Sequence, residues 1–376
     1  MTDKQLRRLV FNWYDKHRDD WPWNLTSDPY AIWLSETILQ QTRIATGIAY
    51  YDKFLIRFPT LTSLASAASD DVLAEWQGLG YYSRARRLHA AAQIMMDQHG
   101  GKVPDTLDDL RALPGVGPYT ASAVGAFAYG IPSTAIDGNI HRVLSRFFYL
   151  RLDLTRAKER RELQTLADEL ICTERPGDWN RALMKIGSTI CTPRKPSCPL
   201  CPLRERCQAH LEQDTQKYPV AKKKAKLTHR WFHYLYAMDD QDRIYIQQRA
   251  DGDIWQGMYE LPLIEAMDEK YVPQSIEDWG HEFTVSDDTA RPRISGSDTR
   301  LLSHQRLYIS YYEVIRSADG QGDAIARVKH KEENATASDG RNTGLIVVPS
   351  THLADKPFPV SLRRYIDLQI DQQKTS

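Results

Sequence analysis

Four of the chain's five cysteines fall in one short run, "CTPRKPSCPLCPLRERC". Cys191, Cys198, Cys201 and Cys207 are spaced C-x6-C-x2-C-x5-C. Thiolates so close in sequence close one tetrahedral or cubane site, so the run reads as metal ligation. Spacing leaves zinc and an iron–sulfur centre both open. A zinc deaminase is excluded. Its H-x-E precedes P-C-x-x-C, whereas here His210-Leu211-Glu212 follows the cysteines and Pro196 does not adjoin Cys198. Arg194 and Lys195, between the first two cysteines, carry charge suited to phosphate or simply to solvent.

Two carboxylates carry a second kind of chemistry. Glu36 lies in "DPYAIWLSETILQQTR", where Asp28 is placed to cap a helix and Pro29 to open it. Ile32, Trp33 and Leu39 lie on its side of that helix. A carboxyl on an apolar face has a raised pKa and stays protonated near neutrality; the plain alternative is a boundary glutamate reaching solvent. Asp137 opens "DGNIHRVLSRFF" and reads as an N-cap, a position that keeps a carboxylate ionised. A protonated Glu beside an ionised Asp is the pairing used for glycosidic cleavage. One protonates the leaving group and the other stabilises an oxocarbenium-like sugar. Sequence alone does not bring the two together.

Helices must hold these groups. "LPGVGPYTASAVGAFAYG" places Gly115 and Gly117 in a turn before a small-residue helix that starts near Tyr119. Glycines allow close backbone approach, and the free N–H groups of a helix start attract anions, a DNA phosphate among them. An ordinary helical hairpin describes the same residues. Helical spacing continues from Gln5 to about His210: Leu61, Leu64, Ala65 and Ala68 repeat, as do Val72, Leu73 and Trp76. Ser69-Asp70 sits where a cap belongs, and Gly100-Gly101 ends a helix. A lysine-rich stretch, residues 212–228, is the expected linker. Beyond it, "WFHYLYAM", "DRIYIQQR", "RLYISYYEV" and "TGLIVVPS" alternate as strands do, and "FPVSLRRYIDLQI" reads as a helix. The acidic stretch from Pro273 to Asp298 has no clear assignment. An all-α domain over 1–211 and an α+β domain over 229–369 are expected.

Composition bounds the rest. The 376 residues suffice for two domains, and 41% hydrophobic with 26% charged is ordinary for a globular protein. Lys+Arg and Asp+Glu both number 49, which excludes a wholly basic protein and leaves local patches open. No apolar run is long enough for a bilayer, and "MTDKQLRRLV" is too charged for a secretory signal. Crowded cysteines then point to metal in a reducing cytosol rather than to disulfides.

Together, "WPW", "WLSETILQQTR", "QGLGYYSRARRLH", "LPGVGPYTA", "AIDGNIHRVLSR", the four cysteines, "DIWQGMYELPL" and "LSHQ" span nearly the whole chain. The set resembles the helix-hairpin-helix DNA glycosylases of the endonuclease III superfamily, and most closely the MutY-type adenine DNA glycosylases. The resemblance implies a 4Fe–4S cluster on the four cysteines. It implies that Glu36 protonates adenine N7 and that Asp137 stabilises or captures the sugar cation, with support from Tyr119 and Asn139. Gln41 and Tyr81 would wedge into the duplex beside 8-oxoguanine while the opposite adenine flips out, with Trp23 and Leu39 at the base. The second domain resembles a Nudix fold without the R-E-x-x-E-E helix, so it would read 8-oxoguanine through Ser303 and His304 rather than hydrolyse pyrophosphates. Strand-cutting relatives carry a Schiff-base lysine where Tyr119 stands. The implied protein is a monofunctional glycosylase acting on DNA with 8-oxoguanine:A or G:A mispairs, a monomer of the bacterial cytoplasm at the nucleoid. The alternatives are an endonuclease III-like glycosylase/lyase and an inactive lesion binder. Four positions depart from the family's usual pattern. Asn24 stands for an arginine, Arg181 for Gln or Glu, Lys185 for an acid, and Leu302 for a phenylalanine. The first two resemble positions lining the base pocket, so they bear on which base is excised.

Overall fold

The computed structural model describes residues 3–220, 226–280, 283–285, 290–318, 322–330 and 344–375. The chain divides into two compact units, Met1–Ala67 with Arg86–Lys223, and Ala68–Ala85 with Lys224–Ser376. No helix among the described residues is long and apolar enough to cross a membrane.

The first unit is helical. Its chain begins with α1 (Asp3–Tyr14), α2 (Pro29–Leu39), α3 (Ile44–Arg57) and α4 (Leu61–Ala65). Helix α5 (Ser69–Glu75) belongs to the second unit, and α6 (Ser83–Gln98) re-enters the first. There follow α7 (Leu107–Ala112), α8 (Pro118–Ala128), α9 (Gly138–Phe147), α10 (Ala157–Leu170), α11 (Pro176–Lys185) and the short α12 (Gln208–Leu211). Helix α2 is apolar almost all round and is buried from Tyr30 to Ile38, as such a helix must be. Asp28 caps it, accepting from Tyr30 N, and Pro29 opens it. Small residues along α8 let it lie close against α2 and α11. Ile131 N bonds Gly125 O across the left-handed Gly130, which closes that helix. A core of Leu6, Val10, Ile140, Leu144, Leu163, Trp179 and Leu183 joins α1, α9, α10 and α11.

Two local expectations change. Ser69 is the first residue of α5, not its cap; Ala68 holds the N-cap position without a side-chain bond. The helix start is supported instead by Asp70 and Asp71 in its first turn, where carboxylates meet the positive end of the dipole. Of the two turn glycines, Gly115 has φ +79°, whereas Gly117 is extended and caps α8.

The second unit is built on strands. β1 (Thr228–Tyr236) pairs antiparallel with β4 (Leu263–Ala266) and parallel with β7 (Gln305–Ala318). β6 (Arg291–Leu301) and β8 (Gly322–Ile325) flank β7 antiparallel. A second sheet orders β10 (Ile346–Pro349), β2 (Arg243–Gln248) and β3 (Tyr259–Glu260), and β5 (Phe283–Val285) pairs with β9 (Val328–His330). β1 begins at Thr228, inside the stretch read as linker. The acidic stretch contains a turn at Ile276–Trp279, then β5 and β6; residues 281–282 and 286–289 within it lie outside the described ones. Alternate residues of β1 and β7 face two cores. Phe232, Tyr234, Leu307 and Ile309 pack with Phe358, Leu362 and Ile366, the last two on α13 (Val360–Thr375). Leu235, Tyr312 and Val314 pack with Ile276 and Phe283 on the other side.

Candidate active site

Glu36 faces α8 from the buried helix α2 and is only 7% exposed. Tyr119, at the start of α8, donates its Oη to Glu36 Oε2 at 2.8 Å. Burial pushes the Glu36 carboxyl up to about 7, against the opposing Tyr119 hydrogen bond and the Arg181 charge; Asp137 pushes it further up. Burial, and then Glu36 and Asp137, raise the Tyr119 phenol well above its usual value, so it stays neutral and serves as a donor. Glu36, Tyr119 and Asp137 therefore share one site.

Asp137 caps α9. Its Oδ1 accepts from Asn139 N at 2.9 Å and Ile140 N at 2.7 Å, and its Oδ2 accepts from Asn139 Nδ2 at 2.6 Å. Burial raises this carboxyl, while these donors and Arg142 hold it back. Arg142, one turn along α9, fixes the arrangement. Its Nη2 donates to Asn139 Oδ1 at 2.8 Å and to Gly187 O at 2.6 Å, and its Nε donates to Cys191 O at 2.6 Å. Gly187 sits in a wide π-type turn, Ile186–Ile190, that extends α11. A Cβ there would lie 2.5 Å from Asn139 Cβ and 2.9 Å from Asn139 O. Only glycine lets this turn close onto the residue that holds Asp137.

Arg181 and Lys185 lie one turn apart on α11. The Arg181 guanidinium stands 4.3 Å over the Phe127 ring, and Lys185 Nζ pairs with Asp19. Asn24 Nδ2 donates to Asp19 O at 3.0 Å. Trp23 is buried edge-on against Tyr51, and the half-buried Leu39 reaches toward Gly47 of α3.

The four cysteines are half-buried and line one cavity with Arg146, Arg204 and His210. Arg146 Nη1 donates to Cys191 Sγ at 3.3 Å and to Thr192 O at 2.8 Å. Burial pushes the Cys201 thiol up to about 12 and raises Cys198 and Cys207, so they ionise readily only beside added positive charge. Among the described residues, no three His, Cys, Asp or Glu side chains converge tightly enough to hold a single metal ion. Arg194 and Lys195 are exposed beside the cavity, their backbone held by Gln216 Nε2 to Arg194 O at 2.5 Å and Thr192 Oγ1 to Lys195 O at 2.7 Å.

Gln41 and Tyr81 are both exposed, and both hold positive φ, +61° and +49°. Non-glycine residues in that region carry strain that collects at functional positions. Arg84 steadies the Tyr81 loop: it donates to Leu79 O and Gly80 O and lies 5.0 Å over Trp76 and 5.7 Å over Tyr81. Gly115 and Gly117 are exposed at the start of α8. In the second unit, Ser303 and His304 form the exposed tip between β6 and β7, with Ser303 Oγ 3.0 Å from His304 Nδ1. Leu302 packs inward against the first core of that unit.

Sequence reasoning missed Arg142, Gly187 and Asp19. A signal for Arg142 existed, since it lies one turn after the Asp-Gly-Asn triplet on the same helix face. Nothing local marks Gly187 or Asp19, whose partners are distant in sequence.

Residues 34–169 match the HhH-GPD superfamily base excision DNA repair protein family, and residues 233–368 match the NUDIX domain family. The chain is 43% identical over 214 residues to the adenine DNA glycosylase of Rattus norvegicus, covering 54% of this chain but 42% of that protein. It thus spans less than half the length of this mammalian relative. It is 32% identical over 298 residues to the adenine DNA glycosylase of Buchnera aphidicola subsp. Acyrthosiphon pisum (strain APS), covering 78% of this chain and 83% of that protein. A solved thermostable thymine-DNA glycosylase is similar with a TM-score of 0.52 at 29% identity, over 56% of this chain and 97% of that one. With identity sustained over most of the bacterial relative, the chain belongs to the adenine DNA glycosylases, within the HhH-GPD superfamily of base excision DNA repair proteins.

Proposed function

We propose that the chain is a monofunctional DNA glycosylase that removes adenine mispaired with 8-oxoguanine, or with guanine, and leaves an abasic site. The observation that carries this reading is the Tyr119–Glu36 hydrogen bond at 2.8 Å beside Asp137. A carboxyl poised near 7 is half protonated at neutral pH, where a general acid works best. Glu36 gives its proton to the leaving base at N7. The glycosidic electron pair leaves with the base, Asp137 stabilises the sugar cation, and water adds to C1′, its surplus proton passing to the Glu36 carboxylate left by the first step. Tyr119 holds Glu36 and has no amine for a Schiff base, so the strand stays intact. Asn139 orients Asp137.

The duplex would meet Gly115, Gly117, Arg194 and Lys195 through its phosphates, and Gln41 and Tyr81 as the wedge. Trp23 and Leu39 would border the extruded base, and Ser303 and His304 would read 8-oxoguanine. Cys191, Cys198, Cys201 and Cys207 would hold a 4Fe–4S cluster; when bound, its iron keeps four thiolates ionised and ties their loop together. In this reading the protein would act as a monomer in the cytoplasm, at the nucleoid.

A labelled duplex with one 8-oxoguanine:A pair tests this under single-turnover conditions. Strand cutting is expected only after an alkaline quench. Cutting without alkali would overturn the monofunctional assignment, and no cutting in either quench would overturn adenine as the excised base.

A further inference from the structure

Gln305, the first residue of β7, stands directly behind the exposed tip residues Ser303 and His304. The tip's backbone is tied down: Leu302 N donates to Gln305 O at 2.8 Å, and Thr228 N donates to His304 O at 3.0 Å. Its side chains continue a row of hydrogen bonds that starts at Arg230 of β1. A guanidinium has five N–H donors and no acceptor. Glu265 of β4 takes Nε and one hydrogen of Nη2, both at 2.6 Å. Asp253 takes the other Nη2 hydrogen at 2.6 Å and one of Nη1 at 2.7 Å. The fifth donor goes from Nη1 to Gln305 Oε1 at 3.2 Å. The Arg230 side chain is only 14% exposed, so this orientation is locked by its two carboxylates.

The polarity of the row then follows outward. Because Arg230 can only donate, the Gln305 amide turns its oxygen to the guanidinium and its NH2 to the imidazole. Gln305 Nε2 lies 3.2 Å from His304 Nε2. An amide nitrogen only donates, so His304 Nε2 accepts and the proton of the neutral ring sits on Nδ1. Nδ1 is 3.0 Å from Ser303 Oγ and donates to it. Ser303 thereby keeps its own hydroxyl hydrogen for a group outside the protein. In the opposite tautomer, Nδ1 would accept that hydrogen and leave the tip with lone pairs alone.

We propose that Gln305, oriented by Arg230, is a positioning residue that fixes the His304 tautomer and so makes the Ser303 hydroxyl a donor for the lesion's carbonyl. This rests on the reading of 8-oxoguanine by Ser303 and His304 above. 8-Oxoguanine carries a carbonyl at C8, where guanine has only C–H. An outward hydroxyl hydrogen meets an acceptor at that carbon in the first and none in the second, which is a basis for telling them apart.

Nitrogen-15 NMR of the histidine rings in the full chain reads the tautomer directly, the His304 signals being identified by their loss in His304→Ala. Spectra are taken at pH 8, above the usual histidine range. Wild type is expected to show a protonated Nδ1 and a bare Nε2. Gln305→Glu still pairs with Arg230 but offers the ring an acceptor in place of a donor, so the proton is expected on Nε2. Single-turnover rates on 8-oxoguanine:A and G:A duplexes are measured on the same proteins. Their ratio is expected to fall about tenfold in Gln305→Glu, the worth of one hydrogen bond, and likewise in Ser303→Ala. A bare Nδ1 in wild type, or a tautomer unmoved by Gln305→Glu, overturns the proposal. A ratio lowered by Ser303→Ala but unchanged by Gln305→Glu overturns this inference alone. A ratio unchanged in both variants overturns the lesion-reading assignment and this inference with it. If circular dichroism shows Gln305→Glu unfolded, Gln305→Met removes the donor at similar volume. Loss of the fixed Nδ1 proton and the same fall in ratio are then expected, and either one unchanged overturns the proposal.

Discussion

In the proposed reaction Glu36 acts through its proton. Its carboxyl rises from 4.5 to about 7 on folding, chiefly through burial. The folded state therefore binds more protons than the unfolded one across that window. Stability is full below about 4.5 and falls as pH rises toward 7, by ~3 kcal/mol for a shift of this size. Glu36→Gln mimics the protonated form. It is expected to match wild type near pH 5 and to be more stable by ~3 kcal/mol at pH 8 in urea unfolding. Equal stability at pH 8 would show that the carboxylate is accommodated without penalty. The same variant should lose excision at least ~100-fold, the usual contribution of a general acid, while still binding the lesion duplex. Wild-type excision should fall as pH rises above 7 and the proton is lost, as a pH–rate profile would show.

At the scale of elements, the site depends on how closely α11 and its π-type turn approach the start of α9. Gly187 sets that distance, because a Cβ would strike Asn139. Arg142 then bonds both the turn and Asn139. Gly187→Ala is expected to cost about 1–3 kcal/mol as the turn is forced outward. It should also slow excision more than it weakens DNA binding, because Asn139 and Asp137 move while the hairpin does not. A slowed rate with an unchanged melting temperature would argue against the steric account. The hairpin makes a contrast: a Cβ on Gly115 would lie 2.9 Å from Arg87 Cβ at φ +79°, while Gly117 has open space.

Over the whole molecule, the proposed chemistry and the proposed lesion reading fall in units with separate cores. The acid and its partners lie in the helical unit, and Ser303 and His304 in the strand unit. Zero net charge fits a protein that relies on local contacts more than on a uniform basic surface. Ser303→Ala with His304→Ala is expected to reduce discrimination between 8-oxoguanine:A and G:A duplexes, leaving the G:A rate and the melting temperature nearly unchanged. Both side chains are exposed at a hairpin tip, so the fold does not rest on them. Undiminished discrimination in single-turnover rates would move the reading function elsewhere.

Much of this was legible in the chain itself, because the signals are local. Asp28 and Pro29 starting α2, Asp137 capping α9, the closing of α8 and the alternation of β1, β2 and β7 each depend on residues a few positions apart. The misplaced cap at Ser69 shows the limit of that logic, since dipole and tertiary packing can start a helix without a side-chain cap. What only the tertiary structure decided lies between distant segments. Tyr119 reaches Glu36 across 83 positions, Arg142 reaches Cys191 across 49, and Lys185 reaches Asp19 across 166. Propensity and periodicity are blind to such pairs, because they arise when buried faces pack and leave each polar group to find its partner. Arg181 makes the same point from another side: the sequence showed an unusual residue, and only the packing of α8 and α11 showed its guanidinium over the Phe127 ring.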